Sequence, residues 1–219
     1  MRAILAGLFL FLGAAPALAQ AEPCDDGLFP SEQAHLGLAV AADVSRTWFL
    51  RDYDGCPQKG ASCRRGYVIR GQTVLTGKSL GSYVCAYYPG NKSETGGWIP
   101  ASQLRSISID TAPPLRAWVG KWTDGFDHIQ IKLKGNRLQA TGDAVWQGAY
   151  STHTGEMGGV AVPNGNHVVF RHEDPNDDDP NSDVCTVKAT LVGKYLVASD
   201  NNVCGGLNVR FDAVYHRER

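Results

Sequence analysis

Six cysteines, Cys24, Cys56, Cys63, Cys85, Cys185 and Cys204, all lie downstream of an N-terminal leader, and no other feature limits the fold so strongly. Met1-Arg2 gives the leader a basic start, Ile4 to Leu12 is an apolar run broken only by Ala and Gly, and Ala17-Leu18-Ala19 before Gln20 fits a small-residue cleavage site. The run is too short for a bilayer span, which takes about 20 apolar residues. Cleavage after Ala19 is therefore expected, with a periplasmic or secreted product. Ala21-Glu22-Pro23 ahead of Cys24 does not suit lipid attachment, and no later segment is apolar enough to cross a membrane. In an oxidising compartment an even number of cysteines reads as a disulfide framework. The six divide four and two along the chain, which pairs Cys185 with Cys204 and leaves three connectivities for the other four. Of these, Cys56 with Cys63 and Cys24 with Cys85 is the working expectation. Zinc is the competing use, but the spacings form no paired C-x-x-C knuckles and the histidines are scattered.

A break at Asp110-Thr111-Ala112-Pro113-Pro114 divides the chain, because consecutive prolines hold it extended and cannot donate to a sheet ladder. This gives a leader at 1–19, an N-terminal segment at 20–43, a first domain at 44–109, a linker at 110–115 and a second domain at 116–219. Both domains read as all-β. In the first, Thr47 to Arg51, Gly66 to Ile69, Thr73 to Thr76 and Tyr83 to Tyr88 are β-branched or aromatic runs bounded by turn residues. Gln72-Thr73-Val74-Leu75, Gly81-Ser82-Tyr83-Val84 and above all Gly97-Trp98-Ile99 with Leu104 resemble a bacterial SH3-like domain over about 44–107. That resemblance implies a small barrel with a shallow aromatic peptide groove. The insertion carrying Cys56 and Cys63 departs from the plain pattern.

In the second domain, strands are expected at His128 to Leu133, Arg137 to Thr141, Val168 to His172, Val184 to Leu191, Lys194 to Ser199 and Val209 to Tyr215, with tight turns such as Lys134-Gly135-Asn136. Short strands so connected suggest an antiparallel barrel or sandwich. Gly120-Lys121-Trp122 near the start and Arg217 near the end resemble the lipocalin-like arrangement, which implies an early Trp packed under an Arg of the last strand. The closing stretch Asp200 to Phe211 resembles uncharacterised exported bacterial proteins, which brings no activity with it.

The chemistry points to binding. A formal net charge of −1 gives no electrostatic case for nucleic acid or an anionic membrane. Gly77-Lys78-Ser79-Leu80-Gly81 matches G-x-S-x-G, but strands on both sides and no following helix make a hairpin turn of it and leave Ser79 exposed. A Cys-His peptidase needs a free thiolate, and the cysteines are better used as bridges. The histidines show no metal spacing, and alternation points His167 and His172 to opposite faces. The acidic stretch Glu173 to Asp183 offers oxygen ligands for calcium but lacks the central Gly and terminal Glu of an EF-hand, so it reads as a solvated loop. No cofactor and no metal is expected. Trp48, Tyr87, Tyr88 and Trp98 are the candidate ligand-binding residues; Tyr83, Cys85 and Tyr87 share one face of their strand and Val84, Ala86 and Tyr88 the other, so both tyrosines 87 and 88 cannot be core. The expected function is non-catalytic recognition of cell-envelope glycan, peptide or protein. Inhibition of a wall-degrading enzyme is the alternative, with Thr154 to Gly159 and the acidic stretch as loops able to enter a cleft; a hydrolase built on Ser79 is the third.

Overall fold

The structure, a computed structural model, describes residues 24, 36–42, 45–90, 94–172 and 184–218. The leader at 1–19 and the acidic stretch 173–183 lie outside them. The fold is all-β, in two antiparallel sheets of seven and eight strands.

The first sheet comprises β1 (Gly37–Ala41), β2 (Thr47–Leu50), β3 (Arg64–Val68), β4 (Thr73–Leu80), β5 (Tyr83–Pro89), β6 (Glu94–Pro100) and β7 (Leu104–Ile107), in the order β3-β2-β6-β5-β4-β1-β7. Strand alternation sorts its side chains into two apolar clusters. Ala39, Phe49, Val68, Val74, Ala86 and Ile99, one from each of β1 to β6, meet on one face. Their neighbours Leu38, Leu50, Leu75, Cys85 and Trp98 face the other way. The sheet therefore starts at Gly37, inside the segment that the sequence leaves outside the first domain. β1 is buried along nearly its whole length between β4 and β7, so its run Gly-Leu-Ala-Val-Ala carries no apolar–polar alternation to reveal a strand.

The second sheet comprises β8 (Gly120–Thr123), β9 (His128–Lys134), β10 (Arg137–Gln147), β11 (Thr152–Ala161), β12 (His167–Arg171), β13 (Thr186–Val192), β14 (Tyr195–Asp200) and β15 (Ala213–Arg217). Each strand from β8 to β11 and from β12 to β15 pairs with the next, and β15 pairs with β8, so the sheet is a barrel open only between β11 and β12. Its interior is filled by side chains, with Trp118, Trp122, Phe170, Phe211 and Tyr215 fully buried. Arg217 closes the wall by lying 4.6 Å from the centre of the Trp122 ring and donating to the Val119 and Ala117 carbonyls, each at 2.7 Å.

The sequence reading has no strand at β11, whose Thr154 to Gly159 it treats as an exposed loop. These residues instead pair one for one with β10, Thr154 opposite Val145 and Gly159 opposite Ala140. The glycines that hide the strand are there because other backbone crosses it. A Cβ on Gly155 would stand 2.4 Å from the Cys204 carbonyl oxygen, and one on Gly159 would stand 2.5 Å from that of Arg171. The connection from β14 to β15 makes the first of these crossings: Glu156 N–H donates to the Cys204 carbonyl at 3.0 Å, and Gly206 N–H to that of Thr154 at 3.1 Å. Cys204 is itself bonded to Cys185.

All three bridges are the expected ones, Cys24–Cys85, Cys56–Cys63 and Cys185–Cys204, and they fit an oxidising environment. The two sheets share a core. Val192, Tyr195, Val197 and Val214 point out of the barrel and join Leu38, Leu50, Leu75 and Trp98 in one cluster.

Candidate functional site

Of the four aromatic residues read from the sequence as a ligand groove, only Trp48 lies in one. Trp98 is buried, and its indole N–H donates to the Asp52 carboxylate, whose other oxygen accepts from the Cys24 N–H at 3.0 Å. The side chain is thus a strut between β6 and the N-terminal bridge. Tyr87 is buried beside Cys85, and burial together with its hydrogen bond to Glu94 pushes its pKa well up. Tyr88 packs from the opposite face, and its hydroxyl accepts from Gln72 Nε2 at 2.7 Å. Alternation separates the two tyrosines correctly, but both faces of β5 are covered, so neither is free.

Around Trp48 the surface is different. β2 pairs with β3 at Trp48 opposite Tyr67, which sets the two rings edge to face with centres 5.0 Å apart. The Arg64 guanidinium lies 5.0 Å from the Trp48 ring centre, and that of Arg46 lies 4.8 Å from the Tyr67 ring centre. Such cation–aromatic contacts hold planar groups in register while leaving part of the indole in water. Beside Trp48 opens a groove of about 150 Å³ lined also by Leu50, Tyr83, Pro100 and Gln103. Gln103 Oε1 is buried there with no hydrogen-bond partner among the described residues. The groove therefore combines a fixed aromatic plane with a proline and tyrosine wall. It is small beside pockets that engulf small molecules, which run to about 300–1,000 Å³. Its shape suits a chain or ring laid across the surface.

The chain matches no family model, no curated protein and no solved structure. The site is accordingly read from its chemistry alone. Tyr83 and Gln103 were not among the candidate residues from the sequence. Tyr83 belongs to the same aromatic run, and the missing signal was which end of β5 stays uncovered. Pro100 precedes and Gln103 ends the short helical turn Ala101–Gln103, which brings them back against β2.

The remaining sequence candidates are dispersed. Ser79 is exposed inside β4, opposite Val84, and not in a turn; a register shift between Thr76 and Ser79 lets the strand run on to Leu80, so the turn falls at Gly81-Ser82. All six cysteines are bridged. Among the described histidines, His128 meets Glu218 at 2.9 Å, His153 the Leu207 carbonyl at 2.5 Å and His167 the Thr190 hydroxyl at 2.9 Å. Among the described residues no three His, Cys, Asp or Glu side chains are grouped to hold a metal ion.

Proposed function

We propose that this chain is an exported, non-catalytic binding protein of the bacterial cell envelope that takes a glycan, peptide or protein partner along the Trp48 groove. The observation that carries this reading is the indole of Trp48, clamped by Arg64 and Tyr67 in a groove beside Tyr83 and Pro100. A pre-set aromatic plane loses little conformational freedom on binding, and buried aromatic anchors dominate the energetics of such contacts. The SH3-like resemblance and the three bridges support the same reading. Co-sedimentation of the oxidised protein with purified peptidoglycan tests it. Retention is expected to fall about tenfold or more in Trp48→Ala and in Tyr83→Ser, with melting curves run alongside. Absence of retention in the wild type would remove the wall-binding version, and equal retention by folded variants would remove the groove.

One observation favours the alternative of a protein that blocks a wall-degrading enzyme. In an up-and-down barrel the β8–β9, β10–β11 and β14–β15 connections emerge at one end, and they carry Phe126, Tyr150 and Leu207 at 84%, 103% and 73% exposure. Loop tips of this kind suit insertion into a cleft. If Phe126→Ser, Tyr150→Ser and Leu207→Ser together abolish inhibition of a lysozyme or amidase while Trp48→Ala does not, this reading replaces the first. An unaffected enzyme panel would end it.

A further inference from the structure

A second cavity lies away from Trp48, on the outer wall of the barrel, where a trough of about 640 Å³ runs over β10, β11 and β12. Pairing of β10 with β11 fixes its plan. On the outward face Gln139 stands opposite Val160, Thr141 opposite Gly158 and Asp143 opposite Glu156. Gly158 contributes no side chain, and the His172 imidazole lies over it, so the ring forms the floor at mid-trough. Arg137 stands at the end of β10 away from Asp143, with its guanidinium donating to the Val160 carbonyl at 3.2 Å. Arg171 enters from β12 beside Gly159, because the backbones of those two residues touch. Gly159 stands opposite Ala140, so Arg171 flanks the middle of the trough, between Arg137 at one end and the two carboxylates at the other.

We infer that this trough is a second ligand site, for a short extended peptide with its carboxylate toward Arg137, its backbone passing Arg171, and an ammonium toward Asp143 and Glu156. The separation of the charges selects the ligand class. Arg137 and Asp143 are six positions apart on one strand, which is about 20 Å at the usual rise of about 3.4 Å per residue. A free amino acid holds its opposite charges too close together to reach both ends, whereas an extended peptide of about five or six residues spans them. A volume of about 640 Å³ also falls within the range of ligand pockets.

The middle of the trough is floored by an imidazole. His172 Nδ1 is buried without a partner among the described residues. It lies 3.0 Å from where a Cβ of Gly158 would stand, so the ring takes the space a side chain there would need. A main chain passing over mid-trough lies against this imidazole, and a side chain at position 158 would crowd the ring. The site shares no lining residue with the Trp48 groove, so either can fail without the other.

The test is calorimetric titration of the full oxidised protein with a synthetic pentapeptide, Lys-Ala-Gly-Ala-Ala, with free termini, its C-terminal amide, and a form acetylated at both amines. Each capped form is expected to bind about tenfold or more weakly than the free one. The variant Arg137→Gln/Arg171→Gln is expected to lose sensitivity to the amide cap only, and Asp143→Asn/Glu156→Gln to acetylation only. All four side chains are exposed, so the variants keep the fold. The His172 imidazole nitrogen resonance is expected to move on binding, and Trp48→Ala to leave every titration unchanged. No heat from the free peptide at millimolar concentration, equal binding of capped and free forms, or variants that respond to both caps as the wild type does would each overturn the proposal.

Discussion

The two sheets solve the same problem of burial by different means. The barrel buries its apolar residues around one continuous core, most of its strands pair with the next in sequence, and it carries a single bridge. The first sheet has short strands, register shifts in β2 and β4, and its apolar residues divided between two faces. One face closes over small residues such as Ala39, Ala41 and Ala86; the other needs the two bridges Cys24–Cys85 and Cys56–Cys63 and the barrel wall to cover it. Small cores leave little margin against chain entropy, and covalent links are the usual remedy. The difference teaches that the first sheet is a dependent unit, and that the groove at Trp48 is held by staples more than by packing.

The strongest test of that dependence is removal of the longest staple. Cys24 and Cys85 are 61 residues apart, and closing a loop of that length contributes about 4 kcal/mol in the chain-entropy account. Cys24→Ala with Cys85→Ala is expected to lower stability by about that amount. Hydrogen exchange should show the loss in β1, β4 and β5 first, while β9 to β11 keep their protection. If barrel amides open together with those of the first sheet, the two form one cooperative unit and the contrast is broken.

A smaller effect is expected where the sheets touch. Gly193, in the turn between β13 and β14, has φ +61°, and a Cβ there would lie 2.6 Å from Leu38 Cδ1. Gly193→Ala therefore combines a left-handed backbone with a steric conflict and is expected to cost about 1–2 kcal/mol. Combining it with Leu38→Ala sharpens the comparison, because residues in contact give non-additive effects. Additive losses in that cycle would place the two residues out of contact and weaken the case for a shared core.

How much of this was legible in the sequence follows the same division. Alternating β-branched and aromatic runs mark most strands of both sheets because each of those strands has one solvent-facing or loosely covered side. β1 and β11 are hidden for opposite reasons: β1 is buried too completely to alternate, and β11 is rich in glycine because the Cys204–Gly206 and Arg171 backbones press against it. Bridge pairing is legible because the cysteines divide with the sheets. The site is half legible. Aromatic content singles out Trp48, yet whether Trp98 or Tyr87 is free depends on Asp52, on Glu94 and on the barrel wall, all of which are set by tertiary contacts. The trough has no local signature at all, since its charged groups come from β10, β11 and β12 and meet only after the strands pair.

The smallest expected effect belongs to the barrel alone and tests whether it has margin to spare. Asp127, in the turn between β8 and β9, accepts the Val145 N–H at 2.9 Å, which ties the turn to β10. Burial raises its pKa to about 6, helped by the nearby Asp124 and opposed by the Val145 hydrogen bond and by His128. The folded chain therefore holds this proton more tightly than the unfolded one. Its contribution to stability is full below about pH 4, falls as the pH rises through about 6, and is lost above that. Asn at this position keeps an oxygen for the Val145 N–H and carries no charge to desolvate. Asp127→Asn is thus expected to raise stability above pH 7 and to flatten the decline between about pH 4 and 6. The side chain is only half buried, so solvent screening holds the gain to about 1 kcal/mol or less, a rise in Tm of about 2–4 °C at most. Melting curves of both proteins at pH 4 and pH 7.5 decide it. A variant that melts lower at pH 7.5 would mean that the charged carboxylate stabilises the turn, and that the barrel, like the first sheet, depends on individual ties.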